Sequence, residues 1–404
     1  MGFFKKRKET ETIEIDIKRP KLRIAILIGL LVIGLLGIGI GLMTSLSTKT
    51  GWQQIDVSVA GNTHAGGDFT FSVYLEGGFM NQSAKKLTTA YSEIAQKAYQ
   101  IYDAENQYGG LYNLASLNRN PNTEMEVDPA LYESLKLLDA YGNRSIFLAP
   151  VYEEYRGLFL CRDDYETVDF DPHENPDIRE YIEEILPYVN DPSKIRFEFS
   201  ENNRVTLVIS EDYLAFCEEY NITSFLDLFW MRNAFVGDYM ADALKEYGVE
   251  QGYLTSNDGF IRCMDETGGR FRLALTGIDQ GGAAIRTYLD YGGPSAFVIA
   301  RGYPVNDSDT DLYYLYRDGR VVTPFVDPAD GLDHMPQEET VFYGYSASCA
   351  EVLMKVYPTF LSGKLTEEEA LKLASDGIYA VFEQDGGYIL TDTEKNVFLI
   401  DEGK

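Results

Sequence analysis

The sequence predicts an α+β domain held behind a single N-terminal transmembrane helix, and three observations carry that reading. Residues 24–43, from Ile24 to Met43, form an uncharged apolar run of 20 residues. Beyond residue 66, strand-like and helix-like hydrophobic periods intermix without the regular strand–helix alternation that a parallel sheet needs. The later strands return through short turns such as Asn202-Asn203 and Asp385-Gly386-Gly387, which join antiparallel neighbours.

A helix rises about 1.5 Å per residue, so the apolar run is long enough for a hydrocarbon layer of roughly 30 Å. Thr44-Ser45-Leu46-Ser47 follows it without an Ala-x-Ala cleavage box, so the anchor is expected to stay attached. Lys5, Lys6, Arg7, Lys8, Lys18, Arg19, Lys21 and Arg23 precede it. Basic flanks are retained in the cytoplasm, which places Thr44 onward on the far side. The chain then divides into a cytoplasmic tail (1–23), a transmembrane helix (24–43), a juxtamembrane linker with a first strand (44–65) and an extracytoplasmic domain (66–404). That is the topology of a single-pass cell-membrane protein, and its source reads as bacterial.

Charge narrows the partners. The chain has 35 Lys/Arg against 64 Asp/Glu. Setting aside the 8 basic and 4 acidic residues of 1–23 leaves 27 against 60, a net charge of −33 beyond the tail. Such a surface repels nucleic acid and anionic lipid, so no nucleic-acid partner is expected. Cys161, Cys217, Cys263 and Cys349 lie far apart with no CxxC, which excludes a standard structural zinc site and predicts mostly buried thiols. His64, His173 and His334 each sit in polar, turn-like contexts and read as isolated surface groups. No Walker A, G-x-S-x-G or H-E-x-x-H motif is present, and no catalytic residue is assigned.

Along the domain, Asp68 to Leu75 alternates as a strand does, and 83–102 carries an amphipathic helix through Leu87, Tyr91, Ile94, Ala98 and Ile101. Asp128-Pro129 opens another helix, with an acidic cap and Pro in the first turn. Residues 163–194, rich in Asp, Glu and Pro, read as a solvated excursion. A hairpin over 196–209 turns at Asn202-Asn203; helices follow at 211–219 and 223–247, the second with a break near Asn233. Strands are expected near 252–256, 259–264, 270–276, 296–300, 312–316 and 320–323. Helices at 346–361 and 366–375 and a hairpin over 379–390 close the chain.

In order, several of these segments resemble the FAD:protein FMN transferases, the ApbE-like family, over about residues 66–395. Leu114-Ala-Ser-Leu-Asn118 is similar to the family's "S-x-LN" segment, and Val127-Asp128-Pro-Ala-Leu131 opens the next helix as members do. Ala234-Phe-Val-Gly-Asp-Tyr-Met-Ala-Asp242 stands where "GGIAKGYAVD" belongs. Thr323-Pro-Phe-Val-Asp-Pro-Ala-Asp-Gly331 stands for "HIIDPRTG", and Ser346 to Lys355 for "A-DALATAL". The resemblance implies a fold of two mixed α/β halves and extracytoplasmic chemistry in which Mg²⁺ helps cleave FAD and FMN is placed on a threonine of a partner protein. It also implies that Asn118, Tyr239, Asp242, Asp258, Asp327 and Lys355 face the flavin and that Glu351 faces the metal.

The departures matter as much. Glu351 and Lys355 stand where the family places an Asp and a Thr as Mg²⁺ ligands, and a fixed cation repels a metal. The motif's His corresponds to Pro324, its Lys to Gly237, its glycine pair to Asn233-Ala234, and "GGD" to Ser256-Asn257-Asp258. The first expectation is therefore a pseudoenzyme that binds a flavin or a partner protein. An active Mg²⁺-dependent FMN transferase, with Lys355 on the FAD pyrophosphate, is the alternative. An unrelated extracytoplasmic interaction domain is the third reading.

Overall fold

The structure is a computed structural model that describes residues 51–57, 67–75, 80–279, 282–305, 312–335, 338–362, 365–392 and 397–400. The expected tail and transmembrane helix, 1–23 and 24–43, lie outside the described residues. Among the described residues no helix is long and apolar enough to cross a membrane. Two units divide the chain: Met1–Gly51 with Leu75–Ala84, and Trp52–Tyr74 with Lys85–Lys404. Of the first, Gly51, Leu75 and residues 80–84 are described; the second carries the sheets, the helices packed on them and the core.

The first third of the domain is mainly helical. After strands β1 (Gly51–Ile55) and β2 (Phe69–Leu75) come helices α1 (Met80–Tyr102) and α2 (Leu114–Arg119), strand β3 (Glu124–Glu126) and helices α3 (Pro129–Ala140) and α4 (Ala149–Phe159). The Asp128 side chain caps α3 as its sequence announces, accepting the Ala130 N–H at 3.0 Å. Tyr91 of α1 is fully buried against Phe71 of β2, ring centroids 4.9 Å apart.

Residues 163–194 depart from the expected solvated excursion. They hold α5 (Asp164–Thr167) and α6 (Pro176–Val189), and Thr167, Asp171, Ile182, Ile185 and Val189 are buried. The acidic groups are held by donors far along the chain. Tyr314 donates to Asp164 at 3.0 Å and Tyr316 to Asp171 at 2.6 Å; conversely, the segment's own His173 pairs with the distant Asp333 at 3.0 Å. An acid-rich composition is compatible with packing wherever each carboxylate meets a hydroxyl or imidazole.

A hairpin of β4 (Ile195–Ser200) and β5 (Arg204–Ile209) follows, with Asn202 and Asn203 both left-handed at φ 61° and 55° in the three-residue loop between the paired Ser200 and Arg204. Then come α7 (Glu211–Tyr220) and α8 (Arg232–Glu246). The helix expected over 223–247 thus starts only at Arg232. The Asn118 amide explains the delay: its Oδ1 accepts the N–H groups of Phe225 and Leu226, and its Nδ2 donates to the Leu226 carbonyl at 3.0 Å. Those peptide groups are taken before a helix can use them.

The rest is chiefly strand: β6 (Gly252–Ser256), β7 (Phe260–Cys263), β8 (Arg270–Asp279), β9 (Gly282–Gly292), β10 (Ser295–Arg301), β11 (Tyr314–Leu315), β12 (Val321–Val322) and β13 (Glu339–Tyr345). Helices α9 (Cys349–Ser362) and α10 (Glu367–Ser375) and strands β14 (Tyr379–Gln384), β15 (Gly387–Leu390) and β16 (Phe398–Ile400) complete it. The first strand expected within 44–65 is β1, whereas β3, β9, β13 and β16 were not anticipated from the sequence.

Eight strands form one sheet in the order β1-β2-β6-β7-β10-β13-β14-β15, and its registered pairs from β2 to β15 are antiparallel. Helices α8 and α9 pack on β6, β7, β10 and β13. On the opposite face, Ile261, Phe297, Ile299, Val341 and Val381 pack with Phe271, Leu275, Leu289 and Tyr291 of the small antiparallel sheet β16-β9-β8. Every residue of β10 is buried, because helices cover one of its faces and a second sheet the other. All four cysteines are unbridged and three are buried, as expected.

Candidate functional site

Alternation along β7 decides what reaches the helices. Ile261 and Cys263 enter the sheet-on-sheet core, so Phe260 and Arg262 turn to the helical face, toward α8. There Arg262 meets Asp238, and the pair is largely withdrawn from water, with side chains 12% and 13% exposed. Next to Asp238, Gly237 is buried against Phe69 of β2; a Cβ at 237 would come within 3.2 Å of the Phe69 ring. A longer side chain there would have to displace that ring, so the glycine is what lets α8 lie close to β2.

Helix α9 begins beside α8. The carboxylate of Asp238 accepts the N–H groups of Cys349 and Ala350, each at 2.8 Å. Glu351 accepts the Ser348 N–H at 3.0 Å, and the Ser348 hydroxyl accepts the Glu351 N–H at 3.1 Å. This reciprocal Ser–Glu bracket is a capping box. The exposed N–H groups that make a helix start attractive to anions are therefore satisfied by the chain's own side chains. Burial pushes the Asp238 carboxyl above its ordinary pKa, while Arg262 and the two N–H donors pull it back down.

Between α3, α8 and the start of α9 lies a cleft of about 550 Å³. Glu133, Asp238, Asp242, Glu246 and Glu351 line it, with Lys136 as the cationic lining residue. Lys136 is itself 3.7 Å from Glu133. Tyr239 also lines the cleft, with the Lys97 ammonium 5.8 Å from its ring centroid. Asp242 is mostly exposed and lies 3.4 Å from Arg262.

The sequence-derived site residues fall in five places. Tyr239, Asp242 and Glu351 share the cleft. Lys355, one turn along α9 from Glu351, is not among its lining residues; its ammonium donates to the Asp376 carbonyl at 3.0 Å, where α10 ends. Asn118 is buried as the clamp on 225–226 described above. Asp327 sits in the loop after β12, its carboxylate accepting the Ala329 N–H at 2.8 Å.

Asp258 belongs to the turn between β6 and β7. It accepts from Asn233 Nδ2 at 2.9 Å, while its own Oδ1 and the Asn233 Oδ1 are buried without a partner. Burial, with Asp68 nearby, pushes the Asp258 carboxyl up to about 6.

Two of the histidines are not the isolated groups their sequence contexts suggested. His173 is paired with Asp333, and His334 Nε2 lies 2.8 Å from Asp330; His64 lies outside the described residues. Ligand-capable atoms of Asp327, Asp330 and His334 fall within 4.8 Å of one another, a grouping the sequence reading missed although the spacing Asp-x-x-Asp-x-x-x-His was visible.

The whole arrangement is a matter of known architecture. The structure aligns with the ApbE protein of Thermotoga maritima at TM-score 0.57 and 14% identity, covering 85% of this chain and 98% of that one. Flavin transferase ApbE of Vibrio cholerae aligns at 0.55 and 12%, covering 85% and 97%. The chain has the fold of the ApbE flavin transferases. The apo flavinyl transferase ApbE of Pseudomonas stutzeri aligns at 0.50 and 14%, covering 86% and 96%. No family model matches the sequence, and no curated protein matches it. At these identities the likeness concerns the fold.

Within this ApbE-like fold, the positions that the resemblance assigned to a divalent metal do not make a metal site. A hard cation needs several uncommitted oxygens around it. Glu351 is engaged in the capping box, Asp238 holds two N–H groups and a guanidinium, and position 355 offers an ammonium that caps another helix. The pyrophosphate of FAD fits the cleft no better, since it would face five carboxylates and a helix start already capped. Lys355→Ala is expected to cost only about 0.5 kcal/mol, the loss of a cation at a helix C-terminus. Urea denaturation of the variant checks this; a loss above about 2 kcal/mol would assign Lys355 a larger role than helix capping.

Proposed function

We propose that this chain is a membrane-anchored, extracytoplasmic protein built on the flavin-transferase fold, impaired in FMN transfer and acting by binding. Residues 24–43 serve as the anchor and 66–404 as the outer domain, on the strength of the apolar run and its basic flank. The observation that carries the impairment is the commitment of Asp238, Glu351 and Lys355 to bonds within the chain. Phosphoryl chemistry on FAD depends on a divalent ion that neutralises pyrophosphate charge, and these residues do not offer it a seat. The acidic cleft favours a basic segment of a partner protein over a nucleotide as its occupant.

The test is direct. Full-length protein in detergent or nanodiscs is incubated with FAD, Mg²⁺ and a threonine-bearing acceptor protein, and the acceptor is examined by mass spectrometry for added FMN. No covalent FMN is expected; Mg²⁺-dependent labelling would establish the active-transferase alternative instead. Protease applied to intact cells is expected to remove 66–404, and protection of that region would refute the outward topology.

A further inference from the structure

We infer that the cavity between α2, α4, α6 and the end of α7 is a binding site for a small quaternary ammonium ion. Its volume is about 480 Å³, in the range of small-molecule sites, and it shares no lining residue with the acidic cleft described above. One wall is aromatic. Tyr181 of α6 and Tyr220 of α7 both line it, with ring centroids 5.6 Å apart and planes tilted by 42°. A methylated ammonium binds against such rings through their negative π-faces. The walls are tied together without a ligand. Asn118, itself buried, donates to the Ala104 carbonyl at 3.1 Å and to Ser224 Oγ at 3.3 Å, and all three residues line the cavity.

The other wall is anionic. Glu105, Glu153, Glu154 and Asp227 line it, with Arg119 as the cationic lining residue. Arg156 neutralises two of these carboxylates, standing 2.8 Å from Glu153 and pairing with Asp227. Arg119 is committed elsewhere, donating to Gln107 at 2.9 Å and to the Glu105 carbonyl at 2.8 Å. Glu105 is exposed, whereas Glu154 is half-buried and has no ion-pair or hydrogen-bond partner among the described residues. Burial, and then Glu153, push the Glu154 carboxyl above its ordinary pKa. Burial, and then the charge of Glu154, push the Tyr181 phenol up to about 12, so carboxylate and ring act on the same space. A half-buried carboxylate without a counter-charge is costly, and a cation in the cavity relieves it. A metal ion would need several uncommitted oxygens, and a primary ammonium three acceptors. A quaternary head needs π-faces and negative potential, which this cavity combines.

The experiment is a calorimetric titration of the full-length protein, held in a maltoside detergent so that no lipid choline competes. Choline is added to roughly 10 mM, with the uncharged tert-butyl analogue of choline as the shape-matched reference and sodium chloride as the ionic-strength control. Choline is expected to bind, and the neutral analogue to bind about tenfold more weakly or not at all. Glu154→Gln keeps the shape of the wall and removes its charge, and is expected to weaken choline about tenfold. Tyr220→Leu keeps an apolar wall and removes a π-face, with an expected weakening of about fivefold. Circular dichroism and the melting temperature show that each variant is folded; Glu154→Gln alone decides the matter if Tyr220→Leu is not. Absence of choline binding by the folded wild type overturns the inference. So does equal affinity for the neutral analogue, or unchanged choline binding by Glu154→Gln. Tighter binding of N-acetyl-lysine amide than of choline also overturns it, by assigning the cavity to a lysine of a partner protein. None of these results bears on FMN transfer, which the acceptor-labelling experiment tests separately.

Discussion

Arg262→Met is expected to destabilise the domain by about 3–5 kcal/mol, because it leaves a buried carboxylate without its counter-charge. Asp238 and Arg262 bury each other between β7 and α8. Taking two charges out of water is costly, and their mutual attraction repays the cost only while both are present. Removal of the guanidinium leaves Asp238 with two N–H donors and no cation. The pH effect has a definite sign. Burial already holds the Asp238 carboxyl above its ordinary pKa, and loss of Arg262 raises it further. A raised folded-state pKa means stability that is present at low pH and lost as pH rises through that value. The variant should therefore lose more at pH 8 than at pH 5 in urea denaturation. Asp238→Ala/Arg262→Met should lie within about 1–2 kcal/mol of wild type, since a buried pair replaced by apolar groups is often neutral. A single-variant loss below about 1 kcal/mol, or a double variant as unstable as the single, would show that the pair is not coupled in this way.

The contrast between what was legible and what was not has physical causes. The hairpin at Asn202-Asn203 was readable because its turn needs left-handed residues that asparagine tolerates. The α3 start was readable because cap and proline are local signals. Strand β13, Glu339–Tyr345, was missed because its centre is buried on both faces and shows no alternation. Strand β9 was missed because Gly282, Ala283 and Ala284 are poor strand formers, and its pairing with β8 holds it extended. Within the site, the capping box was written in the spacing of Ser348 and Glu351, yet the resemblance drew attention to Glu351 as a metal ligand instead. Lys355 had no local sign that its ammonium would reach a carbonyl at the end of α10. Asp238 and Arg262 are 24 residues apart, and their meeting depends on which face of the sheet β7 turns toward α8. A one-residue slip in that strand's register would send Arg262 into the opposite core.

Asp258→Asn is expected to stabilise the protein at pH 7–8 by about 2 kcal/mol and to leave it unchanged near pH 4. The folded-state pKa of Asp258 is raised from the ordinary carboxylate range to about 6, chiefly by burial and less by Asp68, while a hydrogen bond from Ser256 and weaker effects of Asn233 and Arg232 oppose the rise. In the linkage argument, a raised carboxyl pKa gives stability that is complete below the unfolded value, roughly 4, and lost as pH climbs through about 6. A shift of about two units corresponds to about 3 kcal/mol, reduced here because the residue is only partly withdrawn from solvent. An asparagine cannot ionise, so the loss disappears. Its amide also offers a donor for the unpartnered Asn233 Oδ1, where the carboxylate offers none. The measurement is the difference between wild-type and variant unfolding free energies from pH 4 to pH 8, which cancels the titration of the many other carboxylates. A difference that stays flat across that range would mean that the Asp258 carboxyl titrates alike in the folded and the unfolded chain and is not held up by burial. A difference that opens between pH 5 and pH 7 would identify this buried carboxyl as a source of acid-side stability in a strongly acidic chain.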